Sequence, residues 1–433
     1  MFIIINSQII GKSKITKFIE SIQLNKDVFR LYLYQVCTLF LGIICSIIIA
    51  RTLGPAGKGK IDLFYLLMSF ISEIGILGFG SGLFYYMVNK NEPVGAAHGT
   101  ALGFSLILGF LSFVIGMCGI SLWHRLFAGL DNWMIYICFA LSPVIYYQLI
   151  CLNLITGINK VVYSYLINFV CSISYLIFLS YFYFKNSLSV EKIIIIILVM
   201  SFVTIIFNFI ILYKRDKNIL FEFALAIKST KYGLVVYLGI VSNVLLFKVD
   251  QLMINYWIGT DAVGIYTVST RWAEMLFLLD NALIAAYLYR ISSGTANESY
   301  VLSQRLFKVQ LVISCVFAAL LAIISYPMVF YFYGESYKGA VYPLIILIPG
   351  VVAWSATKVL SNFLVYNQKL GIFLTTLSIS GLLINVLFNI LFINILNWGI
   401  IGAAAASSVS YTMVAISVIL KTATIKHNNA MPI

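Results

Sequence analysis

Long apolar stretches recur along the whole chain, and they restrict its fold more than any other feature. Many approach the roughly 20 residues that a helix needs to cross a bilayer. Hydrophobic residues make up 62% of the chain and charged residues only 10%, whereas soluble domains carry about 25% charged residues. The sequence therefore predicts an all-α polytopic membrane protein. Its twelve predicted spans cover residues 30–50, 61–89, 98–121, 133–156, 162–184, 189–213, 234–257, 263–289, 307–331, 340–366, 371–396 and 399–421.

The net charge of +13 lies mostly between these spans. A nucleic-acid binder would instead cluster its basic residues on a soluble surface, so we expect no nucleic-acid partner. With both termini on one side, eighteen Lys and Arg fall on that side and seven on the other, Lys58 among the seven. Positive residues accumulate on the cytoplasmic side, which predicts that both termini are cytoplasmic. The remaining three cations, Lys248, Arg271 and Lys358, lie within spans.

Two short glycine motifs suggest that the chain is an internal repeat. The run Leu53 to Gly59 ends the first span, and the similar run Ile258 to Gly264 ends the seventh, 205 residues later. Pro143 and Pro349 follow at nearly the same offset. Repeated halves are common in transporters. An N-terminal cytoplasmic segment (1–29) is predicted to precede a first six-span lobe (30–213). A basic linker (214–231) then leads to a second six-span lobe (232–421) and a cytoplasmic tail (422–433).

Several motifs spread over the chain carry a family resemblance. The run Arg51 to Gly59 resembles the first-helix signature of the polysaccharide exporters of the multidrug/oligosaccharidyl-lipid/polysaccharide superfamily, and Lys248 to Tyr266 resembles the corresponding region of the second half. The runs Tyr333 to Ala340 and Trp398 to Ala406 are similar to later family segments. Within the superfamily the chain most resembles the Wzx-type flippases of O-antigen and polysaccharide repeat units, which implies a MATE-like fold.

The resemblance implies a carrier in the bacterial inner membrane that turns over an undecaprenyl-pyrophosphate-linked oligosaccharide by alternating access, coupled to a proton or sodium gradient. It implies contacts with membrane lipids, a polysaccharide polymerase and a chain-length regulator, and no enzymatic activity. The physics suits that task, because unpaired charge is very costly to bury in hydrocarbon. A hydrated cavity with cationic side chains removes that cost for a pyrophosphate, while the polyprenyl tail stays in lipid.

Charges within the spans are the first candidates for binding, since they are expensive in a bilayer and usually face a cavity or a partner. We predict that Lys248, Arg271 and Lys358 hold the anionic headgroup. All three lie in the second half, whereas the first half is predicted to contribute only acidic residues, Asp62 and Glu73. This asymmetry favours an anionic cargo over the cationic drugs that an exporter of the same fold would carry.

Other polar residues within the spans are candidates for coupling or for lining the cavity: Asp250, Glu274, Glu73 and Asn243. Glu274 follows Arg271 by three residues and could pair with it along the helix, and this pair could equally be structural. Arg51 fits either a membrane-edge anchor or a contact to substrate. No cofactor is expected, and the dispersed His98, His124 and His427 predict no metal site. A membrane glycan polymerase stays open as an alternative, although no long extramembrane segment is predicted.

Overall fold

A computed structural model describes residues 26–429. The Lys-bearing N-terminal segment up to residue 25 and the last four residues of the predicted tail lie outside this range. Nearly all described residues are helical. The α-helices are α1 (Lys26–Gly75), α2 (Phe79–Asn89), α3 (Val94–Cys118), α4 (Ile120–Leu126), α5 (Asn132–Ala140), α6 (Ser142–Gly157), α7 (Val161–Phe184), α8 (Val190–Arg215), α9 (Phe223–Trp257), α10 (Thr260–Ala273), α11 (Phe277–Ser293), α12 (Ala296–Tyr333), α13 (Val341–Asn362), α14 (Gly371–Asn389) and α15 (Gly399–Asn429).

Four short segments of other helical geometry connect some of these helices. Two are 3₁₀ turns and two are π-helical, and each continues the path of a neighbouring α-helix: the 3₁₀ turns Glu274–Leu276 and Glu335–Ala340, and the π segments Phe363–Asn367 and Ile390–Ile395. Nine helical stretches in the described residues are long and apolar enough to cross a membrane, or ten when the bent pair α5 and α6 is taken as one span.

Helix α1 contains two spans because the chain folds back at Gly54. Its 50 residues would extend about 75 Å if straight, at a rise of 1.5 Å per residue, far more than a bilayer core of about 30 Å. Gly54 has φ +67° and ψ −174°, a conformation that costs glycine little and other residues much. Pro55 follows at the start of the second leg, where its missing N–H costs nothing.

The eighth predicted span is the continuous run from α10 through the 3₁₀ turn to α11, residues 260–293. It is less apolar than the nine because it carries Arg271, Glu274 and Asp280. With this run, the second leg of α1 and the α5–α6 pair, the described residues contain the twelve predicted spans. The predicted all-α polytopic fold is confirmed over the described residues; the orientation of the termini stays a prediction.

The two repeated glycine motifs meet at one end of the bundle, which we call the sealed end (residues 51–60 and 258–264). A Cβ on Gly59 would lie 2.1 Å from the carbonyl oxygen of Thr260, and one on Gly264 would lie 2.2 Å from that of Pro55. Backbone of one lobe therefore rests directly on backbone of the other. Only glycine permits this approach, so the lobes are closed at this end.

A short loop, residues 216–222, connects the lobes and is tied to the start of α3. The Asp216 carboxylate accepts the Gly95 N–H at 2.8 Å and the Asn218 N–H at 3.0 Å. The Glu222 N–H donates to the Thr100 hydroxyl at 3.1 Å. Helix α9 begins at Phe223, so the second part of the linker predicted at 214–231 forms the first turns of a long helix.

Candidate functional site

A cavity of about 600 Å³ lies between the lobes in the membrane-spanning region. A smaller compartment of about 200 Å³ is continuous with it, because both are lined by Asp62, Tyr65, Lys248 and Arg271. We call the two together the central cavity. Its volume is within the range of about 300–1,000 Å³ that is usual for ligand sites. Hydroxyl and amide groups from the first lobe add polar surface: Ser46, Ser69, Ser72, Gln148, Tyr175 and Ser201.

Lys58 contributes a buried cation to this cavity from the first lobe, where only acidic residues were predicted. Its residue is 2% exposed, it forms an ion pair with Asp62, and it donates to the Thr267 hydroxyl at 2.7 Å. The prediction that Lys58 is a loop charge was wrong, whereas the side of the membrane stays a prediction. The chain turns at Gly54, so Lys58 already lies in the first turn of the second leg and points inward.

Lys248 and Arg271 enter the same cavity from the second lobe. The Lys248 ammonium donates to the Ser69 hydroxyl across the lobe interface at 3.1 Å. Within residues 26–429, neither Lys248 nor Arg271 has an acidic side chain within ion-pair distance. The central cavity is thus lined by three cations, Lys58, Lys248 and Arg271, and by two carboxylates, Asp62 and Glu274, which leaves an excess of positive charge.

Glu274 faces the smaller compartment together with Arg271. The two side chains were predicted to pair along one helix, but no ion pair joins them in the described residues. The α-helix ends at Ala273, and Glu274 begins a 3₁₀ turn. Both groups therefore remain open to a ligand in the compartment.

Lys358 does not share the central cavity but lines a second cavity of about 450 Å³ inside the second lobe. Asn243 and Asn362 line it too, with Trp354 and Tyr366 among the aromatic walls. Sequence spacing places residues on a helix face but cannot show which faces meet. The three cations predicted to act together thus fall into two cavities.

Asp250 belongs to a buried hydrogen-bond network in the second lobe. Its carboxylate accepts the Tyr266 hydroxyl, the Ser407 hydroxyl at 3.1 Å and the Gln251 N–H at 2.7 Å. The Asn385 amide donates to Ser407 at 3.1 Å and extends the network to α14. With 1% exposure, Asp250 joins α9, α10 and α15 at this point.

Arg51 lies at the end of the first leg of α1, and Glu73 lies near the end of the second leg. Glu73 lines a small cavity of about 190 Å³ with Asn153 and Tyr237. Arg51 sits at the sealed end, where its guanidinium donates to the backbone carbonyls of Phe332, at 2.8 Å, and Tyr331. Arg51 therefore connects the first lobe to the end of α12.

Sequence reasoning missed two charged residues that the structure makes prominent. Lys58 was hidden by its position beside a predicted loop, although its spacing of four residues from Asp62 is the spacing of a helical ion pair. Asp280 lies within the predicted eighth span and is fully buried. The rule that intramembrane charges mark functional positions would have identified it.

Comparisons with known proteins agree with this architecture. Over 93% of this chain and 100% of the other, the fold matches an inward-facing multidrug resistance MATE family transporter of the MOP superfamily, with a TM-score of 0.76 and 16% identity. The lipid II flippase MurJ in an inward closed conformation matches over 90% of this chain and 87% of its own, with a TM-score of 0.68 and 17% identity.

A third structure is a MOP superfamily transporter from Pyrococcus furiosus, described as having a binding pocket of reverse polarity that suggests a different function. It matches 92% of this chain and 95% of its own, with a TM-score of 0.61 and 14% identity. No curated protein matches the sequence significantly.

The sequence profile of one family, described as polysaccharide biosynthesis protein, matches residues 24–295. This region covers the first lobe, the connecting loop and the first two spans of the second lobe. It therefore includes Lys58, Lys248 and Arg271, which meet in the central cavity. The chain belongs to the polysaccharide biosynthesis protein family and has the fold of the MOP superfamily transporters.

Proposed function

We propose that this protein is a flippase that carries an undecaprenyl-pyrophosphate-linked oligosaccharide, an O-antigen or related repeat unit, across the bacterial inner membrane. The observation that carries the proposal is the convergence of Lys248 and Arg271, neither within ion-pair distance of an acidic side chain of the described residues, on one cavity between the lobes. A pyrophosphate is an anion that such cations would bind. A cavity for cationic drugs would require the opposite sign of charge, which argues against the multidrug exporter.

The two ends of the cargo would meet different environments. The pyrophosphate would lie between Lys248 and Arg271, with sugar hydroxyls against the serine, glutamine and tyrosine groups of the first lobe. Hydrogen bonds from a planar guanidinium suit the oxygens of a phosphate. The polyprenyl tail would remain in lipid, so the protein needs to enclose only the polar part.

Transport in this proposal proceeds by alternating access, with the lobes rocking about the central cavity. The contacts at the sealed end would break and those at the opposite end would form. Both termini would be cytoplasmic, and coupling to a proton or sodium gradient would use carboxylates of the candidate set: Asp250, Glu274 and Glu73. The polymerase and the chain-length regulator would act on the released cargo.

The central experiment compares single variants in cells from which the gene has been deleted. Lys248→Ala and Arg271→Ala are expected to abolish surface polysaccharide and to accumulate lipid-linked repeat units in the cytoplasmic leaflet at normal protein abundance. Lys338→Ala is the matched control, since Lys338 pairs with Glu335 outside the cavity at 2.6 Å. Normal glycan display in both cavity variants would exclude the cationic cavity as the binding site. Drug sensitivity without glycan loss would favour the exporter instead.

A further inference from the structure

The second lobe buries a carboxylate that the proposed binding site does not use. Asp280 lies in the first turn of α11 and is fully buried. One oxygen, Oδ1, accepts the Ser355 hydroxyl from α13 and the Gln310 side-chain amide from α12, the latter at 3.2 Å. The same amide nitrogen is 3.0 Å from the Ser355 oxygen and 3.3 Å from that of Ser314. Three helices therefore meet at this carboxylate.

Two oxygens of this cluster have no hydrogen-bond partner among the side chains that the structure describes. They are Oδ2 of Asp280 and Oε1 of Gln310, and both residues are fully buried. Buried polar atoms are nearly always paired, and leaving one unpaired costs about 1–3 kcal/mol. Both orphan atoms are acceptors, so the cluster lacks a donor. A proton on Oδ2 would supply that donor.

Gln310 can accommodate either protonation state because its side-chain amide offers a donor at one end and an acceptor at the other. With the carboxylate ionised, the NH₂ group donates to Oδ1, as observed. With the carboxyl protonated, a rotated amide would present Oε1 to accept the new O–H. A metal ion fits less well, since the NH₂ group occupies the centre of the cluster and Lys358 adds positive charge nearby.

The charged groups around the cluster are few. Lys358, three residues after Ser355 on α13, is the one charged side chain of residues 26–429 that acts electrostatically on Asp280. Helix α12 presents neutral Gln310 and Ser314. Glu274, on the preceding 3₁₀ turn, faces the central cavity, and Tyr366, on the π segment, lines the second cavity with Lys358. Among the described residues, no charged side chain of α1 is hydrogen-bonded to Asp280, whose side-chain partners are Ser355 and Gln310.

A buried polar stripe leads from this cluster towards the beginning of α12. Ser299, Ser303, Gln310 and Ser314 follow one another at intervals of four, seven and four residues, on one helix face, and all are fully buried. The Ser303 hydroxyl has no hydrogen-bond partner in the described part of the chain, and that of Ser299 accepts the Asn367 amide at 3.1 Å. The stripe ends beside the exposed capping residues Thr295 and Glu298. It places polar groups between that surface and the cluster, with one gap of about 10 Å from Ser303 to Gln310.

We propose that Asp280 is a proton-binding site of the second lobe, loaded along the serine stripe of α12 and linked electrostatically to Lys358 in the second cavity. Protonation removes the negative charge beside Lys358, which leaves that lysine free for an anionic group. The coupling of this site to transport rests on the proposed function, whereas the protonation itself does not.

Infrared spectroscopy of the purified full chain tests the protonation directly. Titration with acid should produce, among the carbonyl bands of the protonated carboxylic acids, a band from a fully buried one, and Asp280→Asn should remove that band. Asp131→Asn is the matched control, because Asp131 is half-exposed and pairs with Lys60 at 3.4 Å; it should leave the band intact. Ser355→Ala keeps the carboxylate and should move the titration midpoint, because a donor to Oδ1 is lost. An unchanged band in Asp280→Asn would overturn the proposal.

Two further measurements separate the alternatives. If sodium, compared with choline, raises the melting temperature of the parent chain but not of Asp280→Asn, the cluster binds a metal ion and the proposal is wrong. In proteoliposomes with an internal pH dye, an imposed pH gradient should drive proton entry that Asp280→Asn abolishes and Ser303→Ala slows. Normal proton entry in Asp280→Asn would overturn the coupling even if the gene proves to encode a flippase.

Discussion

Gly59 and Gly264 contact the opposite lobe in the same way. Each lies against the backbone carbonyl of the residue that follows the first glycine of the other motif, Thr260 in one case and Pro55 in the other. The separation of Gly59 from Gly264 equals that of Pro55 from Thr260. The two copies of the repeated glycine motif therefore contact each other reciprocally. Each copy forms one side of the sealed end.

Adding a methyl group at either glycine should open the sealed end. Gly59→Ala and Gly264→Ala each place Cβ about 2 Å from a carbonyl oxygen, and overpacking of this kind costs about 1–3 kcal/mol. The measurement is the rate at which a membrane-impermeant maleimide labels Cys45, which lines the central cavity, in a chain whose other cysteines are replaced. Labelling from the sealed side is expected to accelerate.

The control for these variants is Gly371→Ala, since a Cβ there meets no atom within 4 Å. Its labelling rate should equal that of the parent chain. Equal rates for Gly59→Ala and the parent would show that the backbone contact does not hold this end closed.

Removing Lys58 should destabilise the protein more than removing the whole ion pair. The side chains of Lys58 and Asp62 are 3% and 12% exposed, and breaking a buried pair by deleting one partner costs about 3–5 kcal/mol. Lys58→Ala leaves Asp62 uncompensated, whereas Lys58→Met with Asp62→Leu leaves no charge. Melting temperatures of the purified variants should rank parent and double variant close together and Lys58→Ala well below.

The reverse ranking, with the double variant least stable, would mean that the pair itself stabilises the interface. Thr267→Val offers a further check. It removes a hydroxyl that bonds both Lys58 and Asp62 while keeping the charges, so its loss of stability should be smaller than that of Lys58→Ala.

The sequence predicted the fold and part of the site. The physical reason is different for each. The spans follow from hydropathy, which is a local property, and the bilayer fixes their length. Lys248 and Arg271 were found because charge in an apolar span is costly and therefore informative. That rule places a residue in the membrane but does not say which cavity it faces.

Which cavity Lys358 and Lys58 face could be decided only from the three-dimensional packing of the helices. Lys358 faces the interior of its own lobe because α13 packs between α12 and α15, a relationship that no spacing along one helix encodes. Lys58 points inward because the chain reverses at Gly54 and the helix resumes at Pro55, inside the predicted loop of residues 51–60. When the start of a span is predicted about one turn too late, a buried charge such as Lys58 is assigned to a loop.

Neutralising Asp216 should loosen the loop between the lobes. Hydrogen bonds from the Asn218 and Gly95 N–H groups hold the pKa of Asp216 below its usual value, which is about 3.9 in an unfolded chain. This contribution to stability is complete above that value and is lost as pH falls through the lower folded pKa. Between pH 5 and 8, Asp216→Asn should therefore speed hydrogen exchange of the Gly95 and Asn218 amides by a constant factor. Glu222→Gln is the control, as Glu222 contacts Thr100 through its backbone N–H. A factor that changes with pH in this range would point to another titrating group.

Removing the Arg51 side chain should open the sealed end less than a methyl group added at Gly59 or Gly264. Its guanidinium donates to carbonyls in the last turn of α12, where the helix dipole is negative, and a cation at that position is worth about 0.3–1 kcal/mol. Since 1.4 kcal/mol corresponds to a tenfold change in an equilibrium constant, Arg51→Ala should raise the Cys45 labelling rate by about twofold to fivefold.

Arg51→Lys keeps the charge but not the two-pronged geometry, and its labelling rate should fall between those of the parent and Arg51→Ala. Lys60→Ala, at the same end but paired within its own lobe to Asp131, should label at the parent rate. If Arg51→Ala is labelled at the parent rate, Arg51 does not hold the sealed end closed and instead serves as a membrane-edge anchor or a contact to the cargo.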